Sequence, residues 1–302
     1  MNKETVTILS FAIFIITFIG LVPLFTYETA TGKKIFTETK VVEEVIPPIN
    51  PFSGISVEGE AAYVVDLLTN EELYSKNANS ALPLASITKV MTAITAREII
   101  PKNATITIDI NAIGLEGDNG LFQDEIWPRD ELLALTLVSS SNDGARAIRN
   151  TLDREYDSDL VTEMNKKSTE LGTEHMYFLN ESGLDVAKTV GGAYGSATDV
   201  SKILKYALEK HYDLFRHTQE SSLDIESLNY TGVHSVDNTN KIINEIPSLV
   251  LSKTGFTDLA GGNLGIIFEK EPNHPVAVVV LGSTEDERFS DIKKLVDAAI
   301  EK

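Results

Sequence analysis

Apolar positions along the chain fall into runs of three kinds, each predicting a different element. Residues 5–25, TVTILSFAIFIITFIGLVPLF, are apolar almost throughout and carry no charge. At about 1.5 Å per residue they reach about 30 Å, the hydrocarbon thickness of a bilayer, and predict a transmembrane helix. The run is longer than the roughly 7–15 residues of a signal-peptide core, and TYETATG after it offers no small-x-small cleavage site. An uncleaved anchor over 1–26 is therefore expected. Lys3 stands on one side of it and Lys33, Lys34 and Lys40 on the other, so charge does not orient it. Residues 27–58 turn polar, and Pro47, Pro48 and Pro51 disfavour a helix or central strand, so this stretch reads as a tether.

The folded domain is expected over 59–302. AAYVVDLLTNEELYS predicts a β-hairpin turning at Thr69 and Asn70. A run with no polar face follows, containing Val90, Met91, Ala93, Ile94, Ala96, Ile99 and Ile100. It predicts a buried helix whose N-terminus is marked by Pro83 and Ser86. Residues 104–128 read as loop-rich around the β-prone ATITI. DELLALTLV (130–138) predicts a second apolar helix with Asp130 as N-cap. Further helices are expected over 157–171 and 197–210, the latter capped by Ser196 or Thr198. Residues 211–245 are polar and carry no assignable pattern. SLVLSKTGF, GGNLGIIFE and PVAVVVLG predict three strands, and SDIKKLVDAAIEK a closing amphipathic helix. Strands at both ends with helices between them predict an α/β (α+β) domain. Its antiparallel sheet of about five strands is flanked by a helical region.

Composition narrows the partners. With 45 acidic against 26 basic residues the net charge is -19, so nucleic acid is not an expected partner. Cysteine is absent, which removes disulfides and thiolate chemistry. His175, His211, His217, His234 and His274 show no ligand spacing, and neither a metal nor a cofactor is expected.

Candidate chemistry begins at Ser86 and Lys89, three residues apart on one face of the buried helix. The helix dipole disfavours a cation in the first turn, so packing alone does not call for Lys89. A serine nucleophile needs a base, and lysine serves only if its ammonium is destabilised by burial or by another cation. Ser290 and Lys293 share the spacing, so the pair alone decides nothing. Two more motifs follow it in order: Ser140-Ser141-Asn142 after the second helix, and Lys253-Thr254-Gly255, which occurs once, on a strand. Together they match the signature of active-site serine penicillin-recognising enzymes.

Longer blocks sharpen this. LPLASITKVMTA, SSSNDGA, MNKKSTELGTEHMYFLNESGLD, YGSATDV and SKTGFTDLAGGNL closely resemble the D-alanyl-D-alanine carboxypeptidases of the low-molecular-weight penicillin-binding type, over about residues 60–283. The resemblance implies a β-lactamase/transpeptidase-like fold with its site in the cleft between sheet and helices. Ser86 would become acylated and Lys89 would take its proton. A nearby Lys253 would help keep Lys89 neutral, since charges about 4 Å apart repel by about 4 kcal/mol at an effective dielectric near 20. Ser140 would relay a proton to the leaving amine, and Asn142 would hold the substrate amide and Lys89. Lys253 and Thr254 would bind the terminal carboxylate, Gly255 would leave room for the substrate backbone, and the N–H groups of Ser86 and Phe256 would form an oxyanion hole.

The implied partners are peptidoglycan stem peptides ending in D-Ala-D-Ala, β-lactams, and the bacterial cytoplasmic membrane through residues 5–25, with the catalytic domain outside. Alternatives on the same fold are a D,D-endopeptidase, a β-lactamase or a slow penicillin- or wall-binding protein. Two departures stand out. Many members carry a further β-rich domain and a C-terminal membrane helix, whereas the expected anchor here is N-terminal. Gly144 stands where alanine is more usual, a change expected to be minor. Glu163-Met164-Asn165 replaces the Glu-x-x-Leu-Asn block of class A β-lactamases.

Overall fold

The computed structural model describes residues 50–117 and 120–302. The expected anchor and nearly all of the tether lie outside the described residues. Packing starts before residue 59: Phe52 and Val57 are buried, and the Asp291 carboxylate accepts from the amides of Glu58 and Gly59, 3.0 Å each.

The hairpin forms as expected from β1 (Ala61–Asp66) and β2 (Glu72–Lys76). Its turn places Asn70 at φ 60, a conformation Asn tolerates, while Asp66 accepts from the amides of Leu68 and Thr69. Pro83 does not open a helix; it lies in β3 (Leu82–Pro83). A 3-10 turn, Ala85–Ile87, carries Ser86 into α1 (Thr88–Ile99), which is buried on nearly every face as its apolar run requires. Residues 104–128 hold a short ribbon of β4 (Thr105–Thr107) and β5 (Ile126–Pro128). α2 (Arg129–Val138) starts one residue before Asp130, so Asp130 is not the cap; its carboxylate pairs with Arg129 at 2.7 Å in the first turn.

α3 (Asn142–Glu155) has no counterpart among the expected elements. Ser141 caps it by accepting from the Gly144 amide at 2.9 Å, and Ala145, Ile148 and Leu152 form its buried stripe. α4 (Leu160–Glu170) falls inside the expected 157–171. β6 (Tyr177–Phe178) and β7 (Ala193–Gly195) complete a small sheet with β3. α5 (Ala197–Phe215) is capped by Ser196, with Asp199 returning the bond, and runs past residue 210 across a departure from helical geometry at His211. The unassigned 211–245 contains a hairpin of β8 (Ser222–Ile225) and β9 (His234–Asp237). The three expected strands are β10 (Leu249–Thr257), β11 (Gly261–Glu271) and β12 (His274–Ser283), followed by α6 (Glu287–Glu301).

The main sheet has the order β10-β11-β12-β1-β2 and is antiparallel throughout, so both chain ends build it. Ala61 faces Leu281 across β1 and β12. Both faces are covered, which is why Val276–Leu281 reads as an unbroken apolar run rather than an alternating one. Alternation still sorts the side chains: Ala277, Val279 and Leu281 pack toward the helical region, while Val276, Val278 and Val280 pack against Phe289, Ile292 and Leu295 of α6. The edge strand β10 runs past the Ser86 turn, which brings two of the three motifs together.

Candidate active site

The Ser86 turn is held between two glycine backbones. Ala85 has φ 47, a left-handed conformation that costs a side-chain-bearing residue energy and persists only where its surroundings enforce it. On one side a Cβ at Gly183 would lie 1.9 Å from the Ala85 carbonyl oxygen. On the other, a Cβ at Gly255 would lie 2.7 Å from the Leu84 oxygen, 3.1 Å from the Ser86 nitrogen and 3.2 Å from the Ile87 nitrogen. A side chain at Gly255 would thus meet the Ser86 turn, a reason for the glycine beside the substrate room the resemblance implied; the residue also lines the cleft. Gly255→Ala should displace the Ser86 turn, lowering stability by about 1–3 kcal/mol together with the rate of Ser86 acylation. Thermal unfolding and penicillin-labelling rates measure both, and unchanged values would remove this account of the glycine.

Lys89 is fully buried, and its Nζ donates to Ser86 Oγ at 2.8 Å, Asn142 Oδ1 at 2.6 Å and the Ser182 carbonyl at 2.9 Å. Burial brings its pKa down to about 7, against the opposing pull of the Glu181 carboxylate. Burial leads for Lys89, and repulsion by Lys253 acts in the same direction, since each charge opposes the other. Lys253 is itself pushed well below the ordinary lysine value, first by burial and then by the charges of Lys89 and Arg288. Its Nζ donates to Ser140 Oγ at 2.9 Å and to the Thr254 carbonyl at 3.1 Å.

Ser140 sits between α2 and α3 at φ 63, a second strained residue that aims a hydroxyl into the cleft. Asn142 lines the same cleft, but both ends of its amide are engaged: Oδ1 by Lys89, and Nδ2 by the Glu116 carbonyl at 2.5 Å. It is placed as a partner of Lys89 more than as a free substrate ligand. Gly144, one turn on, has a reason of its own: a Cβ there would stand 2.3 Å from the buried Thr136 Oγ1.

Thr254 shares a 2.5 Å hydroxyl contact with Thr239. Beside them Arg288 of α6, only 4% exposed, donates from Nη1 to the Gly255 carbonyl at 2.8 Å, while its Nε has no hydrogen-bond partner among the described residues. The cleft encloses about 380 Å³ and is lined by Ser86, Ser140, Thr239, Thr254 and Arg288, with Glu116, Lys241 and Glu285 among its charged residues. Phe256 is half exposed on its rim. Among the described residues no cluster of acidic and histidine side chains is arranged to hold a metal.

The arrangement provides a hydroxyl beside an amine that is half-neutral near pH 7, a second hydroxyl–amine pair opposite, and a cationic end that fits a carboxylate. Sequence reading missed Ser182, Glu181, Thr239 and Arg288. Ser182 acts through its carbonyl, which no side-chain pattern reports. Arg288 lies outside every motif, on the helix behind the strand.

The sequence profile of the D-alanyl-D-alanine carboxypeptidase family matches residues 48–285, and the chain belongs to that family. It is 28% identical over 253 residues to D-alanyl-D-alanine carboxypeptidase DacF of Bacillus subtilis, covering 82% of this chain and 63% of that protein. It is 30% identical over 242 residues to a D-alanyl-D-alanine endopeptidase of Escherichia coli, covering 78% and 75%. Its fold resembles ampicillin-bound penicillin-binding protein D2 of Listeria monocytogenes, with a TM-score of 0.69, 26% identity and coverage of 81% and 98%.

Proposed function

We propose that the chain is a serine D,D-carboxypeptidase that removes the terminal D-alanine from peptidoglycan stem peptides and is acylated by penicillins at Ser86. The 2.8 Å contact between Ser86 Oγ and the buried Lys89 Nζ carries this reading. Neutral Lys89 takes the Ser86 proton as Oγ attacks the penultimate D-alanine carbonyl. The N–H groups of Ser86 and Phe256 receive the developing oxyanion. Ser140, backed by Lys253, passes a proton to the leaving nitrogen, and D-alanine departs. Water then cleaves the ester. In a β-lactam the leaving nitrogen stays tethered to the acyl group, so the adduct persists.

Lys253, Thr254 and Arg288 form the carboxylate end. Lys253→Ala and Arg288→Gln should each slow cleavage of peptides with a free C-terminus at least about tenfold more than cleavage of the same peptides amidated, as expected for losing a charge-assisted contact. Equal losses on both substrates would take these residues out of that role.

The Escherichia coli relative supports a second reading, cleavage of cross-linked peptides. Mass spectrometry of purified monomeric and cross-linked stem peptides after incubation separates the two: loss of a terminal alanine from monomers supports the carboxypeptidase, and resolution of dimers alone supports the endopeptidase. Release of neither would overturn the proposal.

The uncharged run 5–25 supports tethering to the outer face of the cytoplasmic membrane. The full-length protein is then expected to resist a high-salt wash of the membrane fraction. Recovery of a soluble form starting near Thr31 would show cleavage instead.

A further inference from the structure

Glu181 is a fully buried carboxylate next to the residue whose carbonyl meets Lys89. Two guanidiniums from successive turns of α3 hold it: Arg146 Nε at 2.5 Å and Arg149 Nη1 at 2.9 Å. Its own carbonyl accepts from Thr92 Oγ1 at 2.7 Å, and Thr92 lies one turn beyond Lys89 on α1. Asn180 shapes the rest of the turn, its Oδ1 accepting from the Gly183 amide at 2.7 Å. Two acceptors of Lys89, Asn142 Oδ1 and the Ser182 carbonyl, therefore sit on two separate segments, α3 and the 180–184 turn. The Arg146–Glu181–Arg149 cluster is an ionic tie between those two segments.

Stability gives a weak reason for such a tie. Buried ion pairs are often replaceable by apolar side chains without loss, because desolvation cancels most of their attraction. Its place in the fold gives a stronger one. We propose that Glu181, clamped by Arg146 and Arg149, is a positioning residue for Lys89: it keeps the Ser182 carbonyl against the amine and sets the pH at which that amine is free to act as base. The proposal rests on Lys89 being the base of the reaction described above.

The charges around Lys89 leave Glu181 as the group that favours its ammonium. Lys253 of β10 opposes a charge on Lys89, the repulsion between the two being mutual, and the cleft beyond is lined by Arg288 and Lys241 together with Glu116 and Glu285. Asp143 of α3 is directed to the amides of Gly114 and Leu115. α4 presents the uncharged Met164 to Thr92, and its Lys167 meets Glu98 at the far end of α1 at 2.7 Å. The charges that α2 and α5 bring to α1 gather at its far end, Asp130 on Arg97 and His211 on Glu98.

The sign follows. Removing the Glu181 charge makes protonated Lys89 less favourable, so the base stays free at lower pH. Removing Arg146 leaves the carboxylate less compensated and does the opposite.

The test is the rate of Ser86 acylation by a fluorescent penicillin from pH 5 to 9, in wild type, Glu181→Gln and Arg146→Gln. Glu181→Gln should move the acid limb down by at least about half a pH unit, and Arg146→Gln should move it up, as expected for one charge a shell of side chains away. Variants with lower plateaus but unmoved limbs would show a structural role only and overturn the proposal. If Glu181→Gln does not fold, the direction of the Arg146→Gln shift decides. If the wild type itself is not acylated, the functional reading fails, a result distinct from the others.

Discussion

Ser86→Ala is expected to abolish covalent labelling by penicillin at every time point, with the circular dichroism and thermal unfolding of the wild type retained. Ser86 is half-buried, its Oγ accepts from Lys89, and among the described residues no other hydroxyl stands in hydrogen-bond contact with that amine. Ser140 lines the same cleft but meets Lys253 instead, so a substitute nucleophile is not in place. Intact-mass measurement after a brief penicillin pulse reads the result, and an adduct on Ser86→Ala at the wild-type rate would overturn the assignment. The same measurement on the wild type addresses the β-lactamase alternative. α4 carries Glu163 outward, paired with Lys166 at 3.3 Å, while Asn165 is spent on the backbone of Phe178. Neither stands ready to activate water against a penicilloyl ester. The adduct should therefore last for minutes, and loss within seconds would favour a β-lactamase.

Lys89→Met should lower the acylation rate by about 10²–10⁴-fold, the range of general acid–base catalysis. Methionine fills the buried volume without supplying a proton acceptor. The wild type should show the matching pH dependence. With the Lys89 pKa at about 7, the free amine is lost as pH falls through neutrality, so acylation should decline below pH 7 and level off above it. Stopped-flow labelling from pH 5 to 9 measures this. A rate that is flat through pH 7, or a Lys89→Met variant within tenfold of wild type, would remove Lys89 as the base.

The sheet and the buried helix were legible because their patterns are strong. Period-two and unbroken apolar runs mark β1 and β10 through β12, and α1 has no polar face to confuse it. α3 was missed although Ser141, Ala145, Ile148 and Leu152 give a cap and a stripe. Its Arg146, Arg149, Asp153 and Arg154 give the segment a charged face, and two of those arginines turn inward to Glu181. The hairpin of β8 and β9 is short and polar, and its connecting loop is tied to a segment remote in sequence, the Asn229 side chain accepting from the Ile126 amide at 2.8 Å. At the site, Ser86, Lys89, Ser140 and Lys253 were found because their motifs are fixed spacings of side chains. What those spacings do not carry is backbone and depth. The Ser182 carbonyl and the strained Ala85 are properties of packing alone.

The burial of Lys89 also reaches the fold as a whole, through proton linkage. In the unfolded chain a lysine holds its proton up to about pH 10.4; in the fold Lys89 holds it only to about 7. Across that window the unfolded chain binds more protons, so protons act as a ligand that favours unfolding. Lys89's contribution to stability therefore rises with pH from neutrality toward 10, by up to about 1.4 kcal/mol per pH unit, and Lys253, also lowered, acts in the same direction. Below pH 7 Lys89 is protonated in both states and its slope flattens. The pH at which the base becomes available is thus also the pH at which its drag on the fold begins to lift.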